Sequence, residues 1–281
     1  MLVVLKGADF SGDYIEKIDI SALEPAVSNM LSNLTKYPAS PLNAYAQALN
    51  TFYKGLVTDG IFSKLTLLCI PLMANSVSEV LYDCATNTTE STNALRSNFS
   101  LNSKNELYQS SVTGDGVKMG YERSVDATNL TLFGGFTKAS GNDVIRLMGA
   151  SMHQWTFLAI TGVNFLVVGT PVYGQVQFGD TQVLTNGGAM VQRVFPGGVF
   201  VCTNNSGSVI YKDATSKLTG SVSVSSTNRY QTHIMPLLTQ SSSSVIYPGS
   251  CGIFGAATGL TSTEVDNLYN RLNQFYNSFN S

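Results

Sequence analysis

The chain has 281 residues, of which 12% are charged and 43% are hydrophobic, whereas a typical soluble domain carries about 25% charged residues. The net charge of −2 leaves no basic surface for nucleic acid, and so few charges argue against a fold rich in helices with Glu–Lys pairs. The apolar fraction excludes intrinsic disorder, and the length fits one large domain or one domain with a small extension.

The first 36 residues predict an N-terminal arm. The apolar run Met1–Leu5 is too short for a signal peptide or a membrane span, so it predicts a first strand. Residues 21–34 predict a weak helix that Pro25 interrupts, and this region has few large apolar residues for a core. We therefore assign residues 1–36 to the arm and residues 37–281 to one domain that combines a helix with a β-sandwich.

A firm helix is predicted after Ser40 and Pro41, because Ser is a favoured N-cap and Pro suits the first helical position. Apolar residues then recur at helical spacing, and the turn sequence Thr58–Gly60 ends the helix. Residues 61–72 predict a short helical turn followed by a buried strand, which ends at Pro71.

Between about residues 77 and 259 the sequence predicts many short strands. Runs of β-prone residues alternate with Gly, Asn, Ser and Asp clusters, a pattern typical of a two-sheet sandwich or barrel. Neutral Ser, Thr and Asn replace the missing charges here, since strands tolerate hydroxyl-bearing residues. The predicted strands are Leu130–Phe136, Trp155–Ile160, Phe165–Val168, Gln175–Phe178, Val199–Cys202, Ser208–Tyr211, Ser221–Val224 and Cys251–Phe254.

The last element is predicted as an amphipathic helix over residues 261–279. Thr261 and Glu264 have the spacing of a capping box, and Leu260 with Val265 occupies the positions of a hydrophobic staple. The apolar residues that follow form one stripe. We interpret this stripe as a core contact rather than as a partner-binding face.

No catalytic, cofactor or metal site is predicted. The chain lacks the E-x-D-x-E run of sandwich glucanases, and no acid is placed to orient His153 or His233 as a base. The four cysteines are interpreted as buried free thiols, and two histidines are too few for a zinc site. Three tyrosines in turn-rich stretches are the candidate glycan contacts: Tyr173, Tyr230 and Tyr247.

Several segments resemble tailed-phage virion proteins of Bacteroidales and crAss-like phages. Ala48–Leu65 resembles a helix-turn segment of these proteins. Cys251–Tyr269 resembles the closing strand and C-terminal helix of their laminin-G-like, concanavalin A-like jelly rolls. Gly198–Tyr211 is similar to the strand pair before the family's surface loop, and Lys6–Ser11 is similar to the N-termini of related surface modules.

The resemblance is strongest at residues 40–70 and 245–279. Residues 75–100 lack the family's Asn- and Asp-rich approach to the sandwich, and residues 170–195 resemble an insertion rich in Gly and Gln. No ligand site in these two loops is carried over from the family.

The predicted fold class is mainly β: a concanavalin A-like jelly-roll β-sandwich with an N-terminal helical segment and a C-terminal amphipathic helix. The resemblance implies a non-enzymatic virion structural protein, such as a capsid, fibre, decoration or receptor-binding component for host attachment. It also implies assembly with other virion proteins and carbohydrate binding to host-surface glycans. We expect a homo-oligomer such as a trimer, located in the virion after synthesis in the host cytoplasm, without a cofactor, nucleic acid or membrane partner.

Two alternatives remain. A glycan-depolymerising enzyme or lyase on the same sandwich would require a pair of carboxylates about 5–10 Å apart in a groove. A bacterial surface lectin would require an export signal.

Overall fold

The structure is a computed structural model that describes 18 stretches of the chain, which include both sheets and all the helices discussed below. The described residues are 23–33, 42–89, 99–109, 121–123, 129–138, 145–151, 163–168, 173–178, 181–182, 185–186, 189–190, 197–206, 208–215, 217–221, 230–234, 239–240, 243–244 and 249–279. No helix in these stretches is long and apolar enough to span a membrane.

Strands dominate the described residues, and helices lie near both ends. The helices are α1 (Pro25–Asn33), α2 (Leu42–Thr58) and α3 (Ser262–Asn277). The strands are β1 (Leu65–Cys69), β2 (Tyr82–Asp83), β3 (Thr88–Thr89), β4 (Phe99–Leu101), β5 (Leu107–Gln109), β6 (Tyr121–Arg123), β7 (Leu130–Lys138), β8 (Ile145–Ser151), β9 (Val163–Val168), β10 (Tyr173–Phe178), β11 (Thr181–Gln182), β12 (Thr185–Asn186), β13 (Ala189–Met190), β14 (Gly198–Asn205), β15 (Ser208–Lys212), β16 (Lys217–Ser221), β17 (Tyr230–Ile234), β18 (Thr239–Gln240), β19 (Ser243–Ser244) and β20 (Gly249–Thr258).

Two antiparallel sheets form the body of the fold. The eight-stranded sheet has the order β16-β15-β14-β7-β20-β5-β4, and β1 also pairs with β20. The six-stranded sheet has the order β11-β10-β9-β8-β17-β6. Three two-stranded ribbons, β2-β3, β12-β13 and β18-β19, complete the described pairing. The predicted mainly β sandwich with an N-terminal helical segment and a C-terminal helix is confirmed.

The predicted strands are mostly present and are longer than expected. The strand predicted from Val199 to Cys202 is β14, and the strand predicted from Cys251 to Phe254 is the ten-residue β20. β16 ends at Ser221, where the prediction placed a strand start, and residues 222–224 lie outside the described residues. Trp155–Ile160 lies outside them as well. The region 170–195, expected to be an insertion, contains β10, β11, β12 and β13.

The helices pack on the eight-stranded sheet through one apolar cluster. Val265, Leu268, Leu272 and Phe275 of α3 are at most 2% exposed, which confirms that the predicted stripe is a core contact. The sheet contributes apolar residues from β7, β14, β15 and β20 to this cluster, and α2 contributes apolar residues from its buried side. These partners are Ala46, Leu49, Phe52, Leu56, Phe133, Val199, Val201, Ile210, Ile253 and Ala257.

α1 belongs to the same core. Pro25 is its first residue and does not interrupt it, because a proline at this position lacks only an N–H that would have no helical partner. Val27, Met30 and Leu31 are buried in the cluster that α2 and α3 form. The predicted boundary between residues 36 and 37 lies outside the described residues and stays a prediction.

The capping box of α3 is present as predicted. The Thr261 side chain accepts a hydrogen bond from the Glu264 backbone N–H, and the Glu264 carboxylate accepts one from the Thr261 N–H at 2.9 Å. We expect Thr261→Ala to lower the free energy of unfolding by about 1 kcal/mol, measured by urea denaturation. The control is Thr263→Ala, which removes an exposed threonine two residues away. Equal losses in the two variants would contradict a role for the cap.

Candidate functional site

The register of the six-stranded sheet places polar residues in rows on one face. Directly paired residues share a face, and successive residues of a strand alternate between faces. His233 of β17 is opposite Gly149 of β8, which is opposite Asn164 of β9. Asn164 is in turn opposite Gln177 of β10. These four residues form the first row.

A second row crosses β17 at Gln231, two positions before His233. Gln231 is opposite Glu122 of β6 on one side and opposite Ser151 of β8 on the other. Gln231 lies on the same face as His233, because side chains alternate between the two faces of a strand and these residues are two positions apart. Two positions correspond to about 7 Å along the strand. Glu122 is therefore a diagonal neighbour of His233.

A third row lies on the other side of His233. Arg146 of β8 is opposite Leu166 of β9, and Leu166 is opposite Gln175 of β10. A register shift between Arg146 and Gly149 keeps both residues on this face, although three positions separate them. Tyr173 follows on the same face, two residues before Gln175.

We call this surface the polar face. It comprises Glu122, Arg146, Ser151, Asn164, Tyr173, Gln175, Gln177, Gln182, Gln231 and His233, with Gly149, Leu166 and Val168 between them. The other face carries mainly apolar residues, including Met148, Ala150, Val163, Phe165, Val167, Val176, Phe178 and Ile234. Such alternation is typical of an antiparallel sheet with one face on the core and the other in water.

The polar face combines residue types that can bind a glycan and move protons. Histidine is the side chain that acts most often as a general base near neutral pH. Arginine forms paired hydrogen bonds with carboxylates, and glutamine and asparagine amides both donate and accept hydrogen bonds. Gly149, opposite His233, has no side chain, and a glycine inside a strand often marks a place where a ligand approaches closely.

The three tyrosines predicted as glycan contacts do not form one site. Tyr173 lies on the polar face at the start of β10, whereas Tyr230 begins β17 on the opposite face, paired with Arg123. Two strands, β9 and β8, separate them. Tyr247 lies outside the described residues. Glycan contact by these tyrosines stays a prediction.

Sequence reasoning missed the role that the register gives to His233. The spacing Gln231-x-His233 was visible in the sequence, as was Gln175-x-Gln177. Period-two spacing places such pairs on one strand face, but it does not say which strands are neighbours. Glu122 comes next to Gln231 only through the pairing of β6 with β17.

A second group of polar side chains surrounds a buried carboxylate, Glu106, which is 1% exposed. The hydroxyls of Thr137 and Tyr276 lie 2.7 and 2.8 Å from its Oε1. The hydroxyl of Ser250 and the amide of Asn102 donate to its Oε2 at 2.5 and 3.0 Å. Both carboxylate oxygens are therefore occupied by hydrogen bonds from the chain itself.

The electrostatics of this group favour a structural role. Burial alone raises the pKa of Glu106, but the hydrogen bonds from its four partners outweigh burial, so that the pKa lies below its usual value. Burial and the neighbouring carboxylate raise the pKa of Tyr276 well above its ordinary range. The carboxylate stays ionised and the phenol stays protonated, which makes the first a poor base and the second a poor nucleophile.

The Tyr276 ring packs against two glycines. A Cβ added at Gly135 would lie 2.7 Å from Tyr276 Cδ2, and one added at Gly252 would lie 2.8 Å from Cε2. Both distances are too short for ordinary contact, so the ring packs directly on the backbone of β7 and β20. Through this contact the C-terminal turn of α3 packs on the eight-stranded sheet.

The two other fully buried acids in the described part of the chain are also enclosed. Asp83 accepts hydrogen bonds from the Leu68 and Ala85 N–H groups and from the Thr86 hydroxyl. Asp213 accepts them from both the N–H and the hydroxyl of Thr215, and from Tyr211. Neither carboxylate is available to a substrate.

Charged side chains gather at the N-terminal half of α3. Lys64 contacts Glu264 at 2.5 Å, and Lys212 and Lys217 each contact Asp266 at 2.5 Å. The acids favour the positive end of the helix dipole. These pairs connect α3 with β15, β16 and the start of β1, so we assign them to helix docking.

The cysteines are free and buried, as predicted. Burial raises the pKa of the Cys84 and Cys202 thiols far above the ordinary value, which leaves them as inert apolar side chains. Within the residues that the structure describes, no group of three His, Cys, Asp or Glu could hold a metal ion.

Comparisons with known proteins identify the fold but no family. The sequence matches no family model and no curated protein. A structure of Trypanosoma rangeli sialidase in complex with 2,3-difluoro-KDN has a TM-score of 0.53 and 11% identity. The match covers 82% of this chain and 39% of that chain, so the chain spans well under half of that sialidase.

Two weaker matches were found among solved structures. A second structure of Trypanosoma rangeli sialidase has a TM-score of 0.47 and 14% identity, over 82% of this chain and 39% of that chain. A family 7 alginate lyase with bound substrate has a TM-score of 0.36 and 11% identity, over 71% of this chain and 93% of that chain. At these scores neither match adds to the assignment of a jelly-roll β-sandwich.

The predicted function is wrong. The chain was expected to be a non-enzymatic phage virion or appendage protein, whereas the solved structures described above are those of a sialidase and an alginate lyase. The expectation that the chain is not an enzyme is corrected with it. The suspected family, the oligomer, the host-surface glycan and the cellular location are not tested by these matches.

Proposed function

We propose that the chain is an enzyme that cleaves acidic glycans on the polar face, with His233 as the general base. The observation that carries the proposal is the register of β17, which brings His233 and Gln231 beside Glu122 and one row from Arg146. The sandwich fold shared with a sialidase supports a glycan as the substrate.

The composition of the polar face favours elimination over hydrolysis. Two-carboxylate hydrolysis of a glycoside needs a pair of acids across the scissile bond. Among the described strands of the six-stranded sheet, the polar face contains one carboxylate, Glu122. A histidine near an arginine and two amides instead suits the removal of a proton next to a sugar carboxylate.

The proposed step balances without a cofactor. His233 takes the proton from the carbon next to the carboxylate of a uronic acid residue. The electron pair forms a carbon–carbon double bond, the glycosidic carbon–oxygen bond breaks, and the leaving oxygen takes up a proton from water. The imidazolium of His233 then returns its proton to the hydroxide that remains, so that no water is consumed. Arg146 holds the carboxylate, and Gln231 donates a hydrogen bond to the charge that develops on it.

The test compares neighbouring residues that lie on opposite faces of β17. Gln231→Ala removes an amide from the polar face, whereas Thr232→Val changes the opposite face and preserves shape. We expect Gln231→Ala to lower the affinity for uronate polysaccharides, measured by gel-shift electrophoresis, by at least about tenfold. The cleavage rate should fall by a similar factor, because the loss of one hydrogen bond to a charged group has about this effect. The second variant should retain both. Equal losses, or no loss in either, would contradict a substrate on the polar face.

A further inference from the structure

The polar face consists of two halves that differ in charge. The half on the adjacent strands β6, β17 and β8 contains Glu122, His233 and Arg146, which can carry a charge near neutral pH. On the next three strands, β9, β10 and β11, the residues of the polar face are uncharged, and we call this part the neutral half. Four of its residues carry primary amides: Asn164, Gln175, Gln177 and Gln182.

The first row of the polar face continues through both halves. It crosses β17, β8, β9 and β10, and Gln182 of β11 extends it beside Gln177. His233 and Gln182 are therefore four strand spacings apart, or about 19 Å. One strand spacing is close to the length of one pyranose residue in a polysaccharide. A glycan that lies along the first row thus meets a new strand at nearly every sugar.

The charges of the polar face suit one uronic acid residue. Among its described residues, Arg146 is the one arginine or lysine and Glu122 is the one carboxylate. Their charges cancel, and the whole chain carries a net charge of −2, so no excess of positive charge attracts a polyanion. Arginine can pair with one sugar carboxylate, whereas a second carboxylate on the neutral half would lose hydration without gaining a counter-charge. Glu122 repels a further uronate at the β6 end.

The amides of the neutral half suit the hydroxyls of uncharged sugars. Each primary amide has two N–H donors and one carbonyl acceptor, and a hydroxyl likewise both donates and accepts. Gln175 and Gln177 are two positions apart on one face of β10. Asn164 and Gln182 are opposite Gln177 on the strands at either side. The register therefore gathers the four amides into one patch.

We propose that the substrate is a mixed polysaccharide, in which uncharged sugars separate the uronic acid residues, rather than a polymer of uronic acid alone. This inference rests on the proposed function, because it takes cleavage beside His233 from it. The uronate lies at Arg146, and the uncharged sugars next to it lie along the first row toward Gln182. The neutral half binds and orients the glycan and takes no part in the elimination step.

The test compares two groups of polymers by gel-shift electrophoresis and by cleavage with the whole chain. The mixed polymers are hyaluronan, unsulfated chondroitin, heparosan and deacylated gellan. The polymers of uronic acid alone are alginate, polygalacturonate and polyglucuronate. We expect at least one mixed polymer to bind at least about tenfold more tightly than every polymer of the second group, because further carboxylates find no counter-charge on the polar face.

Variants at the far end of the first row test the neutral half itself. Gln182→Ala should raise the KM for the preferred polymer by roughly two- to tenfold, the effect of one hydrogen bond, and leave kcat unchanged. The matched control is Thr181→Val, which alters the preceding residue on the opposite face of β11, beside Phe178, and should change neither constant. Gln177→Arg adds a cation to the neutral half and should tighten the binding of at least one polymer of uronic acid alone by about tenfold.

Binding and cleavage distinguish failure of this inference from failure of the proposed function. Preferential binding of a mixed polymer without cleavage of any polymer supports the neutral half as a sugar-binding surface and overturns the lyase activity. Cleavage combined with equal or tighter binding of a polymer of uronic acid alone overturns this inference and leaves the lyase activity standing. Absence of binding to all the polymers, or equal effects of Gln182→Ala and Thr181→Val, overturns the inference as well.

Discussion

His233→Ala lowers the rate of glycan cleavage by about 10²–10⁴-fold, the usual contribution of a general base. The free energy of unfolding changes by less than about 1 kcal/mol, since the residue lies on the polar face rather than on the apolar face of β17. Activity of the purified variant is compared with wild type on uronate polysaccharides, and stability is compared by urea denaturation.

Two further readouts separate a base from a merely structural residue. The wild-type rate should fall at acidic pH, because a protonated imidazole cannot accept the proton, and this acid limb should be absent in His233→Ala. Added imidazole should restore part of the activity of the variant, because it can occupy the space of the lost ring. An unchanged rate in His233→Ala, or an acid limb that survives the substitution, would rule out His233 as the base.

Glu106→Gln lowers the free energy of unfolding at pH 7 by about 2–4 kcal/mol. The substitution keeps the shape of the side chain but replaces one acceptor oxygen with an N–H₂ group, so at least one donor among Tyr276, Thr137, Ser250 and Asn102 loses its acceptor inside the protein. The control is Glu24→Gln, which removes a half-exposed carboxylate 3.4 Å from Lys54 and should cost less than about 1 kcal/mol.

The effect of Glu106 depends on pH in a defined direction. Its pKa in the folded protein is below the usual value, so the ionised carboxylate stabilises the fold fully above the unfolded-state pKa of about 4.3. This contribution is lost as the pH falls through the lower pKa of the folded state. The difference between wild type and Glu106→Gln should therefore shrink below about pH 4 in urea titrations. A constant difference down to pH 3 would refute ionisation of Glu106 as the source of the stability.

The C-terminal helix could be predicted because its signals are local. Thr261 and Glu264 are three residues apart, and the apolar stripe repeats within a single helix. The contact between Tyr276 and Glu106 joins residues 170 positions apart, and it also requires glycines at 135 and 252. Nothing in a local pattern specifies which residues such a ring will meet.

The residues of the polar face could not be grouped from the sequence either, because they also come together through long-range pairing. The alternation in Gln231–His233 is readable as a strand, but the arrival of Glu122 and Arg146 beside it depends on the order β8-β17-β6. Two of the segments that suggested a virion protein, residues 48–65 and 251–269, lie in α2, β20 and α3 and in the connections next to them, which reach the first residue of β1. They form a central strand of the eight-stranded sheet and the two helices that cover it, so they indicate fold and not activity.

The mass of the products tests the central claim most directly. Incubation of the purified chain with a uronate polysaccharide should give oligosaccharides that carry a double bond at the new end and contain no added water, because elimination splits the polymer without consuming water. Mass spectrometry and ultraviolet absorbance of the unsaturated sugar detect this outcome. Products that have each gained a water, or a polymer left intact across uronate substrates of different linkage, would contradict the assignment of a glycan lyase.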